Sequence, residues 1–350
     1  MSGSNTGDRT QQAVVTDGTG SAWMEDREIP EPEPGEVLVR VRAVGICGSD
    51  IGLIEGEGPP WTDYPVVLGH EVCAEVVELG AGVDGELSVG DRVALHGFLY
   101  CGTCAPCRDG RYYQCDDVQE VGFSLDGGYR EYATWPAYTL TPIPDDVTDL
   151  EACQIDSAGC TLHAMKRAST SFDDTAAVLG PGALGLFGVQ LLRAQGVRDI
   201  VLTGTRDERL EAGERLGADY TINVREEDPV EALLEYTDGR GVDICVEAAG
   251  AGDVVDTCLQ STAKQGTVVL TGVFGQRKEI DPDPIVLNEL TVVGGVTSAN
   301  ATQETIELFR RGDLTVDNVV THEFELADYE EAIETVRERR DGVNKAVLRP

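Results

Sequence analysis

The chain has 350 residues, 41% of them apolar and 26% charged, which at about 150 residues per domain is enough for two domains with buried cores. Its 63 acidic against 27 basic residues give a net charge of −36, and a polyanion of that density repels nucleic acid and anionic lipid alike, excluding both as partners. No run of about 18 apolar residues offers a membrane span, and residues 1–12 carry no cationic stretch followed by an apolar one, so a cytoplasmic protein with a frayed start is expected.

In chain order, residues 13–143 read as short strands broken by glycine, proline and aspartate. Examples are 36–44, with Val37, Val39 and Val41 alternating, then 72–79 and 91–95. Such spacing predicts a mostly β, barrel-like unit. The texture then changes: strand 176–179, helix 183–195, strand 199–203, helix 207–216, then strands 242–247, 267–270 and 291–296, with a helix at 253–262. Strands alternating with helices predict an α/β unit built on a doubly wound parallel sheet. Two amphipathic helices, 303–311 and 328–339, and a last strand, 345–348, close the chain.

Ten cysteines without an export signal point to metal binding or packing before disulfides. Cys101, Cys104, Cys107 and Cys115 lie within 15 residues. Four thiolates so spaced close a tetrahedral structural zinc site, with Gly102, Pro106 and Gly110 supplying the turns; iron–sulfur ligation uses similar spacings. A second group is Cys47, Ser49 and Asp50, followed by His70 and Glu71. A thiolate, an imidazole and a carboxylate suit a zinc ion that keeps an exchangeable position, and Asp50 is placed to orient the imidazole.

The third group, Gly180-Pro181-Gly182-Ala183-Leu184-Gly185, follows a strand and opens a helix. Glycines there let the backbone approach a pyrophosphate at the helix N-terminus. The next strand ends in Gly204, Thr205 and Arg206, where an NAD site places a carboxylate for the ribose hydroxyls. Absence of that charge, with Thr205 and Arg206 as donors, favours NADP over NAD, although Asp207 and Glu208 stand close enough to leave NAD open.

Together these segments resemble the zinc-containing medium-chain alcohol dehydrogenases, in particular the polyol, sugar and threonine dehydrogenase branch, over residues 13–350. The resemblance implies a GroES-like β-barrel catalytic domain (13–155 and 298–350) around a Rossmann domain (156–297), with the active site in the cleft between them. It makes Cys47 and His70 ligands of a catalytic zinc and Glu71 a direct or alternating ligand. Ser49 becomes the hydroxyl that takes the substrate proton, and the four clustered cysteines become the ligands of a structural zinc. Thr161 matches a position that touches the nicotinamide. Asp156 aligns with a glutamate that approaches the metal in the polyol branch, with Cys160 and Cys153 as weaker candidates. A relay histidine of many relatives is replaced by Gly52. His96 reads either as a pocket residue or as a solvated loop residue; His163 and His322 read as structural.

The resemblance thus implies an oxidoreductase moving hydride between a polyol, sugar or secondary alcohol and NAD(P), with two zinc ions per chain and a homodimeric or homotetrameric assembly. Other readings are a zinc-free enone or quinone reductase on the same scaffold and a non-enzymatic zinc-binding protein. Only four basic residues are lysines (Lys166, Lys264, Lys278, Lys345). A surface so acidic and lysine-poor is similar to those of salt-loving organisms, where ions screen self-repulsion; a merely acidic protein is the plainer alternative.

Overall fold

The computed structural model describes residues 10–85, 87–250, 253–275, 277–298 and 301–350. They form two compact units, one ending at Asp156 and resuming at His322, the other Ser157–Thr321.

In the first unit the strand Glu36–Ile46 is central, because its β-branched residues are buried almost throughout and a strand buried on both faces must be paired on both edges. Glu71–Leu79 pairs antiparallel along one edge. Tyr132–Pro136 covers residues 36–40 and Lys345–Arg349 covers residues 44–46. The seven-stranded sheet continues through Arg92–Leu95 and Leu140–Pro142 on one side and Val320–Glu325 on the other. A three-stranded sheet, Ala22–Glu28, Thr10–Thr16 and Val66–Val67, adds its apolar side to the same core. The two-stranded ladder of Phe98–Leu99 with Gln119–Glu120 closes the loop that carries the four clustered cysteines.

The second unit is a six-stranded parallel sheet. Numbered within the unit, its strands lie in the order third, second, first, fourth, fifth, sixth. This is the order of dinucleotide-binding sheets, in which ligands bind where the first and fourth strands meet and the connections part. Those strands are Thr175–Leu179 and Val242–Glu247, with Leu179 opposite Glu247. Helix Ala183–Ala194 buries eight consecutive residues from Gly185, more than two full turns, so over that stretch it is enclosed on every side and not half-exposed to solvent.

Two expected boundaries shift. Residues 10–12, read as part of a frayed start, begin the strand Thr10–Thr16, and Gln11 is buried with its amide oxygen accepting from Tyr132 N at 2.7 Å; the rest of that extension lies outside the described residues. Residues 298–321, expected with the first unit, fall in the second. Helix Thr302–Arg310 buries Ile306 and Phe309, and the Phe309 ring meets Phe187 edge-on at 6.0 Å. Gln190 then bonds both Thr315 N (2.8 Å) and Thr315 O (3.2 Å).

Candidate metal centres and dinucleotide site

Three neighbouring strands end together in the first unit. Cys47 leaves Glu36–Ile46 and caps helix Gly48–Ile54. Glu71 opens the next strand opposite Gly45. Lys345 opens the strand on the other edge, one residue before Ala346, which faces Ile46. Sheet register therefore gathers residues that sequence separation keeps far apart. The sulfur of Cys47, a ring nitrogen of His70 and a carboxylate oxygen of Glu71 lie within 4.8 Å of one another, and His70 and Glu71 are buried. A thiolate, an imidazole and a carboxylate converging so closely fit a zinc ion that retains one further position.

Asp50 organises this set. Its Oδ2 accepts from Cys47 N at 2.7 Å and from the buried Tyr129 hydroxyl at 2.9 Å. Its Oδ1 lies 3.7 Å from His70 Nδ1, and both atoms are buried without a hydrogen-bond partner. Burial alone would lower the His70 imidazole; Asp50 and Cys47 overcome it and hold the ring well above its ordinary pKa. Burial, Asp50 and Glu71 together push the Tyr129 phenol up, so it stays a donor to Asp50 at neutral pH.

Glu71 is 1% exposed and Lys345 is 5% exposed, with Lys345 Nζ donating to Glu71 Oε1 at 2.5 Å. Burial would depress the ammonium, yet Glu71 and Cys47 raise it above its usual value. Gln154 Nε2 approaches Glu71 Oε2 at 3.4 Å. Gly45 makes room: a Cβ there would fall 2.0 Å from Glu71 Oε2 and 2.8 Å from Gln154 Nε2. Lys345, Gln154 and Tyr129 escaped the sequence reading. One signal was available, a lysine opening an apolar strand in a chain with only four lysines.

Other expected site residues fall elsewhere. Among the described residues Asp156 is not part of the converging set. It starts helix Ile155–Met165 on a side chain one methylene shorter than glutamate, and its field reaches His96 and Glu120. Cys153 is outside the converging set; it donates to Leu150 O at 3.2 Å, and burial pushes its thiol up to about 12. Cys160 is half-buried on the same helix as Asp156. Ser49 is half-buried in the first turn after Cys47. His96 is no solvated loop residue: Nε2 bonds Tyr138 O at 2.8 Å and burial lowers its pKa. Glu120, also missed, accepts from the Trp61 indole at 3.2 Å. Burial first, and Asp156 after it, push this carboxyl up to about 7 against the opposing pull of His70.

The four clustered sulfurs also lie within 4.8 Å of one another. Backbone N–H groups of Thr103 and Cys104 point at the Cys101 sulfur (3.4 and 3.3 Å), and those of Cys101 and Asp117 at the Cys115 sulfur (3.3 and 3.4 Å). Those donors lower the Cys101 thiol to about 6. Gly102 and Gly110 take positive φ (71° and 75°), as the turns require. This is a closed four-sulfur cage, the form of a structural zinc site.

In the second unit, Gly180 turns out of its strand at φ 112°. A Cβ on Gly180 would sit 2.9 Å from Ala249 Cα, and one on Gly185 would sit 1.8 Å from Gly180 O. At Gly182, which caps helix Ala183–Ala194, a Cβ would meet nothing within 4 Å. The turn is thus compressed on its inner side and open at the helix N-terminus, where Ala183 and Leu184 lie in the first turn and free N–H groups suit a pyrophosphate. The Thr161 hydroxyl lies 3.3 Å from Leu184 O and 3.2 Å from Ser157 O, bracing that turn. Gly204 is required sterically as well: a Cβ would fall 2.5 Å from Pro181 Cγ. Thr205 is exposed and Arg206 caps helix Asp207–Arg215. The Asp207 carboxylate is taken by Asn223 Nδ2 at 2.7 Å.

Residues 33–145 match the family described as alcohol dehydrogenase GroES-like domain, and residues 183–311 match zinc-binding dehydrogenase. The chain is 33% identical to an L-threonine 3-dehydrogenase of Pyrococcus horikoshii, over 90% of this chain and 92% of that protein. It is 31% identical to a sorbitol dehydrogenase of Bacillus subtilis, over 98% of each. A zinc-binding dehydrogenase of Sinorhizobium meliloti 1021, solved with NADP, superposes at a TM-score of 0.92 with 30% identity, covering 97% of this chain and 99% of that one. The chain belongs to the zinc-type medium-chain alcohol dehydrogenase family, with a GroES-like and a Rossmann domain. It is accordingly an oxidoreductase of the alcohol and polyol class that uses zinc and a nicotinamide cofactor.

Replacing Lys345 with Met leaves the Glu71 carboxylate buried without its cation and should cost about 3–5 kcal/mol, read as a lower urea midpoint of the metal-free protein. The Lys345→Met, Glu71→Gln double variant should regain most of that loss.

Proposed function

We propose that this chain oxidises a polyol, sugar or secondary alcohol, and reduces the matching carbonyl, at a zinc held by Cys47, His70 and Glu71. The observation that carries this reading is the convergence of those three ligand atoms within 4.8 Å. Zinc there supplies Lewis-acid polarisation of the substrate oxygen, and the nicotinamide supplies the hydride acceptor. Ser49, in the first turn after Cys47, takes the hydroxyl proton. Gly52 offers no imidazole to relay it, so the proton leaves through water or the cofactor ribose. Asp50 and Tyr129 hold the Cys47 backbone and the His70 ring in register. Trp61 and Glu120, with His96, offer an aromatic face and hydrogen-bonding groups to a hydroxylated substrate. The four-cysteine cage holds a second, structural zinc. In a panel of sugars, polyols and simple alcohols, Cys47→Ala should abolish turnover with every active substrate while dinucleotide affinity stays unchanged; near-normal turnover would overturn the ligand assignment.

For the cofactor we infer NADP over NAD. Gly204 removes the carboxylate that would repel a 2′-phosphate, Asn223 bonds Asp207, and Thr205 and the cationic Arg206 stand at the end of the same strand, at the start of helix Asp207–Arg215. Arg206→Ala should weaken NADP by about 1.5–3 kcal/mol, the range for a hydrogen bond to a charged group, and leave NAD nearly untouched in parallel titrations.

We also infer a homodimer. Thr291–Gly294 is an edge strand of the parallel sheet, and Val273, Val286, Leu287, Val292 and Val296 around it are exposed. Unpaired edges and apolar patches of this kind mark association surfaces. Residues 284–296 contain one charged residue, Glu289, so two polyanions meet there with least repulsion. Val292→Lys should convert the dimer to a monomer by light scattering.

A further inference from the structure

At the crevice of the second unit, one side chain ties together the two loops that leave the fourth and fifth strands. Glu247 ends Val242–Glu247 at 0% exposure. Its Oε1 accepts from Ala249 N and Gly250 N, both at 2.7 Å, and its Oε2 accepts from Gly272 N at 3.2 Å. Its main-chain oxygen takes Thr271 N at 3.0 Å and the Thr271 hydroxyl at 2.7 Å. A buried carboxylate is costly out of water unless donors surround it, and here backbone N–H groups from both loops do so.

The same loops form a wall with no slack. Ala248 N donates to Leu179 O at 2.9 Å, which draws the first loop against the glycine turn. The Gly180 position leaves no room for a Cβ because Ala249 stands behind it, and a Cβ on Gly272 would fall 2.6 Å from Glu247 Oε2. In a doubly wound sheet of this order the first three strands hold the adenosine half of a dinucleotide and the last three hold the other nucleotide half. The loops bound by Glu247 lie on that second side.

We propose that Glu247 is a positioning residue for the nicotinamide half of the cofactor: its carboxylate sets the backbone of residues 249–250 and 271–272 against the Gly180 turn, so that this wall is formed before the cofactor arrives. The proposal rests on the dinucleotide reading of the glycine turn. A preformed wall spares the ordering cost that a loose pair of loops would charge against binding. Glutamine in place of Glu247 keeps the shape but turns one acceptor into a donor facing an N–H group, which releases one loop and leaves the other held.

The test compares two probes by calorimetry on the full chain: the intact dinucleotide, and ADP, which carries only the adenosine side. Glu247→Gln should raise the Kd of the intact cofactor about tenfold, the scale of one or two lost hydrogen bonds, while the Kd of ADP stays within about twofold of wild type. Amide hydrogen exchange at Ala249, Gly250 and Gly272 should quicken in the free protein. Glu247→Asp, which keeps the charge but withdraws the carboxylate from the same N–H groups, should reproduce the pattern and serves if Glu247→Gln does not fold. Unchanged cofactor affinity in both variants, or equal weakening of ADP and cofactor, overturns the positioning role. A wild-type chain that binds neither probe overturns the dinucleotide reading instead.

Discussion

A carboxylate 1% exposed beside a sulfur ligand is the constraint around which the first unit is arranged. A carboxylate so placed is not tolerated out of water without compensation. The fold supplies it from three directions. Lys345 brings a cation from the last strand, Gln154 brings an amide, and Gly45 gives up its side chain so that the carboxylate can lie across the central strand. Ladder hydrogen bonds join the strands that carry Gly45, Glu71 and Lys345, so the register of the central sheet fixes where these three residues stand.

The second unit meets a similar demand by other means. Its buried carboxylate, Glu247, is surrounded by main-chain N–H groups and needs no side-chain cation. Its tight spots are set by space: Gly180 against Ala249, Gly185 against the carbonyl of Gly180, and Gly204 against Pro181. Charge fixes the metal side, and close packing fixes the nucleotide side. That division suits the two ligands. A metal needs donors at fixed distances, whereas a long dinucleotide needs an unobstructed path along a backbone.

Much of this was legible in the residues themselves. The cysteine cage shows as local spacing of rare side chains, the Cys47, His70 and Glu71 set shows only through the family resemblance of the residues flanking it, and the glycine turn shows because strand and helix patterns flank it. Lys345 was not legible, since its bond to Glu71 spans 274 residues and depends on which strands become neighbours. Glu120 and Gln154 were hidden for the same reason. Asp156 was placed by counting along a segment, which fixes the position of a Cα but not the reach of a side chain. The boundary near residue 298 was misjudged because the amphipathic stripe of helix Thr302–Arg310 announces that it packs, not upon what. The contact of Phe309 with Phe187 decides it.

The pairing of Glu71 with Lys345 also makes the pocket depend on residues far apart in the sequence. The sulfur, imidazole and carboxylate come from Cys47, His70 and Glu71 and the matching ammonium from Lys345, with the whole parallel-sheet unit between them. A chain in which Lys345–Arg349 has not paired with Glu36–Ile46 lacks that ammonium beside Glu71. Completing the charged pocket is therefore an event of the whole domain, governed by long-range strand pairing, and not a property of residues 47–71 alone.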